Sequence, residues 1–285
     1  MLGTYVSVQL AADLDTSTLI DLSNQVFVEI EQIEKLMSFH DPESELSFIN
    51  AEAAFCPCLI STDMATVLNT ALQLSQLTDG RYDISIAPEL IRGGMLPESG
   101  HLVHEASNWQ DIHLVDNLIR FNNPLIIDLG GIAKGYAVDK AYAAVCDQVD
   151  NLVINAGGDL RVKRWREESI GIKNPDLGRH QPIIVSMAES AVATTAAYYH
   201  GDGEQSIIDP DTRKPVDDPR SISVFAPSCM VADALTKVVL LAENAADVLQ
   251  TRNASALIID QTGTRLVNQT SVLVIDHTGT INTLQ

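Results

Sequence analysis

Apolar and polar positions alternate at the start of the chain, with Val6, Val8 and Leu10 on one side and Tyr5, Ser7 and Gln9 on the other. That is the two-residue period of a β-strand. The cluster Asp13 to Thr18 breaks the alternation and offers helix-capping groups, and the period then changes. Leu19, Leu22, Val26, Ile30, Ile33 and Met37 recur at three- and four-residue steps, so a long helix with one core-facing stripe is predicted to end near Ser38. Ser38 to Asn50 reads as a loop. Thr62 to Leu77 carries a second helical stripe, and Gly80 is placed to end it in the left-handed conformation.

Further on, Tyr82, Ile84 and Ile86 alternate like a strand that turns Asp83 and Ser85 to its other face. Gly93 to Trp109 is a polar connection, and Asp111 to Phe121 with Pro124 to Asp128 read as paired strands. Strands are also expected at Leu152 to Ile154, at Ile183 to Val185 continuing into the same sheet at Ala191 to Thr194, at Ser221 to Phe225, at Leu257 to Asp260 and at Val272 to Asp276. Val231 to Leu241, capped near Ser228, and Ala245 to Leu249 read as helices. Strands and helices mix without regular βαβ alternation, which predicts an α+β fold with mixed sheets and packed helices.

The stretch around which the rest is organised is Asp128 to Ala141, DLGGIAKGYAVDKA. An apolar run (Leu125 to Ile127) enters a turn with Gly130 and Gly131, and a helical pattern leaves it. Glycines let backbone approach a ligand, and the first N–H groups of a helix carry partial positive charge, so such a turn suits a phosphate. Lys134 stands near the helix mouth; the plainer alternative is a tight strand-to-helix turn with a solvated lysine. Ala133, Ala137, Ala141 and Val145 recur every four residues and give the helix a small face that can lie flat on a sheet. Gly157 and Gly158 interrupt a strand pattern, which marks a bulge or a close approach of ligand to backbone. The hydroxyls of Thr194 and Thr195 can donate to phosphate or ribose oxygens, or simply belong to a β-branched strand.

Composition narrows the function. The 285 residues are enough for one elaborate domain or two intimately packed halves. Eighteen basic against 38 acidic residues give a formal charge of −20, which excludes general electrostatic binding to nucleic acid or an anionic membrane. An anionic ligand must be met locally. No apolar run reaches the ~20 residues needed to span a bilayer. The four cysteines, Cys56, Cys58, Cys146 and Cys229, form neither a disulfide framework nor a paired zinc motif.

Taken in order, LGTYVSV (Leu2 to Val8), LMSFHDPESELSFIN (Leu36 to Asn50), DGRYDISIAPEL (Asp79 to Leu90), DLGGIAKGYAVDKA, NAGGDLRV (Asn155 to Val162), AVATT (Ala191 to Thr195), SIIDP (Ser206 to Pro210) and VADALTK (Val231 to Lys237) resemble the ApbE family of FAD:protein FMN transferases. The resemblance covers nearly the whole chain. It implies an ApbE-like domain of two packed, T-fold-like halves over residues 1–285, with a nucleotide site between them. The implied activity cleaves the FAD pyrophosphate, passes FMN to a Thr or Ser hydroxyl of a flavin-accepting target protein and releases AMP. By the same resemblance Ser38, Phe39, Asp83, Asp128, Gly130, Lys134, Gly157, Gly158, Thr194 and Thr195 are candidates for FAD binding. Mg²⁺ is implied as well, with Gly131, Asp233 and Thr236 as its candidate ligands. Many members of the family are periplasmic or anchored by a lipoprotein signal; no signal segment is present in this sequence, and the compartment stays open.

The sequence also departs from the pattern. The metal threonine is expected four residues after Asp233, where Lys237 stands; Thr236 lies one residue earlier, about 100° around the helix. Lys237 either pairs with Asp233, its ammonium replacing part of a metal's charge, or turns to solvent or phosphate. Ser206 precedes IIDP where the family commonly has histidine, and Ala196 and Ala197 follow ATT where glycine and aspartate are frequent. These four positions leave two alternatives open: a catalytically impaired FAD-binding module, and an FAD pyrophosphatase.

Overall fold

The computed structural model describes residues 1–173, 182–196, 207–268, 272–275 and 281–284. Ala197 and Ser206 lie outside the described residues, and of Ala196 only the backbone is described.

In chain order the elements are β1 (Val6–Ala11), α1 (Thr16–Met37), α2 (Glu45–Glu52), β2 (Cys58–Leu59), α3 (Thr62–Leu77), α4 (Ala87–Arg92), β3 (Ile112–Val115), β4 (Leu118–Phe121), α5 (Ala133–Val145), β5 (Asn151–Ala156) and β6 (Asp159–Val162). They continue with β7 (Ser169–Ile172), β8 (Ile183–Ser186), β9 (Ala191–Ala196), β10 (Ile208–Asp209), β11 (Lys214–Pro215), β12 (Ser221–Ala226), α6 (Cys229–Leu241), α7 (Ala245–Thr251), β13 (Ser255–Asp260), β14 (Gly263–Val267), β15 (Val272–Ile275) and β16 (Ile281–Leu284). The fold is α+β.

A seven-stranded sheet, ordered β1-β5-β6-β9-β12-β13-β14, forms the middle layer, and its neighbouring strands are antiparallel. Its interior strand β12 is buried throughout. Because strand side chains alternate between faces, Ile222, Val224 and Ala226 enter a core shared with α1, α3, α5 and α6, while Phe225 enters a second core with Val162, Ile172, Val185, Leu257 and Ile259. The second core lies against a four-stranded sheet ordered β16-β15-β8-β7. Thus β8 does not continue the sheet of β9, as the sequence suggested, but belongs to the layer beneath it.

The predicted stripe of α1 is buried at Leu22, Val26, Ile30, Ile33 and Met37, and Asp15 caps the helix by accepting from the Thr18 N–H at 3.1 Å. Three local expectations change. The stretch expected as a loop contains α2, capped by Ser44 through the Ser47 N–H at 3.0 Å. Tyr82 to Ile86 is not a strand: Asp83 accepts from the Ser85 N–H at 2.7 Å and starts a short 3₁₀ turn over Ile84–Ile86, and Pro88 in the first turn of α4 carries it into helix. Pro124 to Asp128 has no strand partner. Instead the Asn50 side chain clamps both backbone groups of Ile127, at 2.9 and 3.0 Å, and the Asp128 N–H donates to the Ile84 carbonyl at 2.8 Å. An amide side chain offers a donor and an acceptor together, and so replaces the missing ladder.

Candidate functional site

Three elements converge on one cavity: the turn that opens α5, the β5–β6 hairpin and helix α6. Helix α5 can approach α6 this closely because Gly135 faces the α6 N-terminus, where a β-carbon would stand 2.3 Å from the Cys229 carbonyl oxygen. In the β5–β6 hairpin Ala156 pairs with Asp159 across Gly157 and Gly158, whose φ values of +64° and +103° fit the tight two-residue turn. The glycines therefore mark a hairpin tip rather than a bulge, and the tip points Asp159 into the cavity beside Gly157.

Two buried carboxylates and two partly buried ammonium groups meet there. Asp233 of α6 receives the Lys237 ammonium on Oδ1 at 2.5 Å, and the Lys134 ammonium and the Gly135 N–H on Oδ2 at 3.5 and 3.4 Å. Lys134 also donates to the Gly130 carbonyl at 3.1 Å and lies 3.6 Å from Asp159. Burial alone would raise Asp233, but Lys134 and Lys237 outweigh it and hold its carboxyl below the usual range. Asp159 goes the other way: burial, then the Asp233 charge, pushes it up to about 7, and its Oδ2 is buried without a hydrogen-bond partner. Burial opposes the charge of Lys134, yet the two aspartates raise it.

The opposite wall is carried by Arg81, Tyr82 and Asp83 after α3. Arg81 pairs with Asp209 of the IIDP block at 3.0 Å and donates to the Leu241 carbonyl at 2.9 Å, tying three distant segments together. Arg213 does the same lower down, reaching Glu89 at 3.3 Å and the Ser107 carbonyl at 3.1 Å. Burial raises Asp83 and Asp128.

Of the sequence candidates, Asp83, Asp128, Gly131, Lys134, Gly157, Thr194, Thr195 and Asp233 line this cavity. Gly130 supplies a carbonyl to Lys134, and Gly158 donates its N–H to the Asn155 side-chain oxygen at 2.9 Å. Thr194 shares a hydrogen bond of 2.8 Å with Ser223 on the neighbouring strand. Phe39 lines a second hollow beyond the segment Leu96 to Pro97, whose two residues each line one of the two cavities. The Ser38 hydroxyl stays local, accepting from the His40 N–H at 3.2 Å. Thr236 is buried and donates to the Asp233 carbonyl at 2.7 Å. Asp159 and Arg81 are absent from the sequence candidates, although a carboxylate placed directly after a two-glycine hairpin tip was a usable signal for the first.

The model of the ApbE family matches residues 2–259. This chain belongs to the ApbE family. Among ApbE relatives, the FAD:protein FMN transferase of Vibrio cholerae is 30% identical over 229 residues, covering 72% of this chain and 69% of that protein. The one from Haemophilus influenzae is 27% identical over 294 residues, covering 90% and 85%. The structure of the flavin transferase ApbE from Vibrio cholerae superposes with a TM-score of 0.75 at 26% identity, covering 93% of each chain. The ApbE protein from Thermotoga maritima shares the fold with a TM-score of 0.73 at 23% identity, covering all of this chain and 94% of its own.

The residues present do not fit the divalent cation that ApbE resemblance implies. A hard cation needs several free oxygens. Both Asp233 oxygens face ammonium groups, the Thr236 hydroxyl is turned into its own helix, and the Lys237 stem lies across Gly131, where a β-carbon would stand 3.2 Å from its Cε. Among the described residues no three acidic, histidine or cysteine side chains are grouped to hold a metal.

Proposed function

We propose that this ApbE chain is an FAD:protein FMN transferase that binds FAD in the cavity between α5, α6 and the β5–β6 hairpin. The reading treats residues 1–285 as one domain of two packed halves, with a target protein as flavin acceptor. In the proposed reaction an acceptor Thr or Ser oxygen bonds to the FMN phosphorus, the bond from that phosphorus to the AMP oxygen breaks, and AMP and a proton leave. The observation that carries the reading is the pair of ammonium groups, Lys134 and Lys237, held at one cavity beside the glycine turn in a chain whose net charge is −20. These ammonium groups offer N–H donors, with their charge balanced locally by Asp233 and Asp159, where the molecule as a whole repels anions.

The role proposed for Lys134 is to hold the pyrophosphate, while its bond to Gly130 keeps the turn in place. Asp83 and Asp128 would meet polar groups of the nucleotide, and Thr194 and Thr195 its sugar or phosphate oxygens. No step is assigned to Mg²⁺, because the donors it would use are engaged by lysines.

The test is incubation of the purified chain with FAD, with and without a protein extract. Released AMP is followed chromatographically, and flavin fixed to polypeptide is followed by in-gel fluorescence after denaturation. Transfer predicts AMP together with fluorescent protein. AMP without acceptor would identify a pyrophosphatase, and bound FAD without AMP a flavin-holding module.

A further inference from the structure

We propose that the Lys237 ammonium takes the place of a divalent cation at Asp233, so that the negative charge of a bound pyrophosphate is met by side-chain ammonium groups without a metal ion. The inference deepens the FAD reading and rests on it.

Three observations carry it. First, Lys237 holds the cation position from both sides: its Nζ lies 2.5 Å from Asp233 Oδ1 and 3.1 Å from the Asp233 carbonyl, and its methylene stem rests on Gly131. A larger residue at 131 would press on that stem, so the bare glycine and the long lysine fit each other. Second, the pair is removed from water, the side chains being 2% exposed at Asp233 and 17% at Lys237. A buried carboxylate that already has a close ammonium partner gains little from a second cation, and a divalent ion there would face two ammonium charges within a few ångströms. Third, the charges balance. Asp233 and Asp159 stand against Lys134 and Lys237, so the cluster is neutral with both acids ionised and positive when Asp159 is protonated. The cluster has no deficit for a metal to fill, whereas an entering diphosphate meets a neutral or positive site. An ammonium carries three N–H donors. Two of those on Lys237 point at Asp233, which leaves one for a ligand oxygen.

Two titrations of the full chain, freed of metal by chelation, test the proposal. In the first, Mn²⁺ binding is read by electron paramagnetic resonance. Wild type and Asp233→Asn are expected to give the same isotherm, and Lys237→Thr is expected to gain one site at least about tenfold tighter, since removing the ammonium leaves the buried Asp233 carboxylate with only the longer, 3.5 Å contact to Lys134. In the second, FAD affinity is read by flavin fluorescence in chelator and in Mg²⁺. Wild type should differ by less than about twofold between the two media. Lys237→Met, which keeps the stem and loses the charge, should bind about tenfold more weakly in both, the size of a lost charge-assisted hydrogen bond.

An Mn²⁺ site in wild type that disappears in Asp233→Asn, or a rise of about tenfold or more in wild-type FAD affinity with Mg²⁺, overturns the proposal. If Lys237→Thr fails to fold, the wild type, Asp233→Asn and Lys237→Met still decide it. Absence of FAD binding in either medium overturns the FAD reading and the ligand half of the proposal, while the Mn²⁺ comparison still decides what occupies Asp233.

Discussion

Two helix N-termini lie side by side in this molecule and are treated in opposite ways. At α6 the free N–H groups are closed off within the protein: Ser228 accepts from Val231 at 3.3 Å, and Asp139 of α5 accepts from Cys229 and Met230 at 2.9 and 2.8 Å. Arg161 pairs with Asp139 at 3.3 Å and completes that end. At α5 no side chain caps the helix, and its start borders the cavity with Lys134 in the first turn. Even so, it is not the bare phosphate cradle expected from its glycines. The Ile132 and Ala133 N–H groups bond back to the Leu129 carbonyl at 3.0 and 2.8 Å, and Gly135 donates to Asp233 at 3.4 Å. The positive charge offered there comes chiefly from ammonium groups. A sealed end fixes two helices together, and an end faced by ammonium side chains can exchange partners when an anion arrives.

The largest change should come from forcing the two ends apart. Gly135→Val places a branched side chain where even a β-carbon meets the Cys229 carbonyl oxygen at 2.3 Å. A loss of about 3 kcal/mol or more in denaturant unfolding is expected. Next, Asp139→Ala unseals α6 and leaves Arg161 unpaired at that point. It should cost about 2–3 kcal/mol of stability by thermal or denaturant unfolding and leave FAD affinity within about twofold, because the sealed end is structural. Equal losses of stability and FAD affinity would erase the distinction between the two ends.

A pH series separates the two ends further. Asp159 is pushed from an ordinary 3.8 up to about 7 in the folded protein, so the folded state binds more protons than the unfolded one between those values. Its contribution is therefore fully present below pH ~4 and is lost as pH rises through ~7, with a slope of up to about 1.4 kcal/mol per pH unit. In Asp159→Asn that slope should vanish from the denaturation midpoint measured between pH 4 and 8. The smallest effect is expected at Tyr136→Phe, which removes the 2.6 Å bond from the Tyr136 hydroxyl to Asp63 on the far side of α5. It should lower stability by about 1 kcal/mol and leave FAD binding alone.

These contrasts also show what a single sequence could carry. The stripes of α1 and α3 and the Ser228 cap of α6 were legible because periodicity and capping are local. Tyr82 to Ile86 looked like a strand because three apolar residues alternate, and the competing signals are two polar or helix-starting residues that the apolar period ignores, the Asp83 cap within the stretch and Pro88 just beyond it. Ile127 looked like a strand residue for a better reason, since both its backbone groups are paired; their partner is the side chain of Asn50, 77 residues earlier. Within the site, the turn residues and Asp233 stood out by resemblance, and the i,i+4 spacing of Asp233 and Lys237 already contained the ion pair as one of two readings. The Arg81–Asp209 tie did not stand out because it joins segments far apart in sequence, whereas Asp159 had a local signal, its place after the two-glycine tip, but its partner Lys134 lies in another element.

The open end of α5, with Lys134, is the place proposed for FAD. Titrating FAD into wild type and Lys134→Met, followed by flavin fluorescence in parallel with thermal unfolding, tests it most directly. Saturable binding to wild type and a loss of at least about tenfold in the variant, which should remain folded, are expected. Equal affinity in the two proteins, or no binding to wild type, would contradict it.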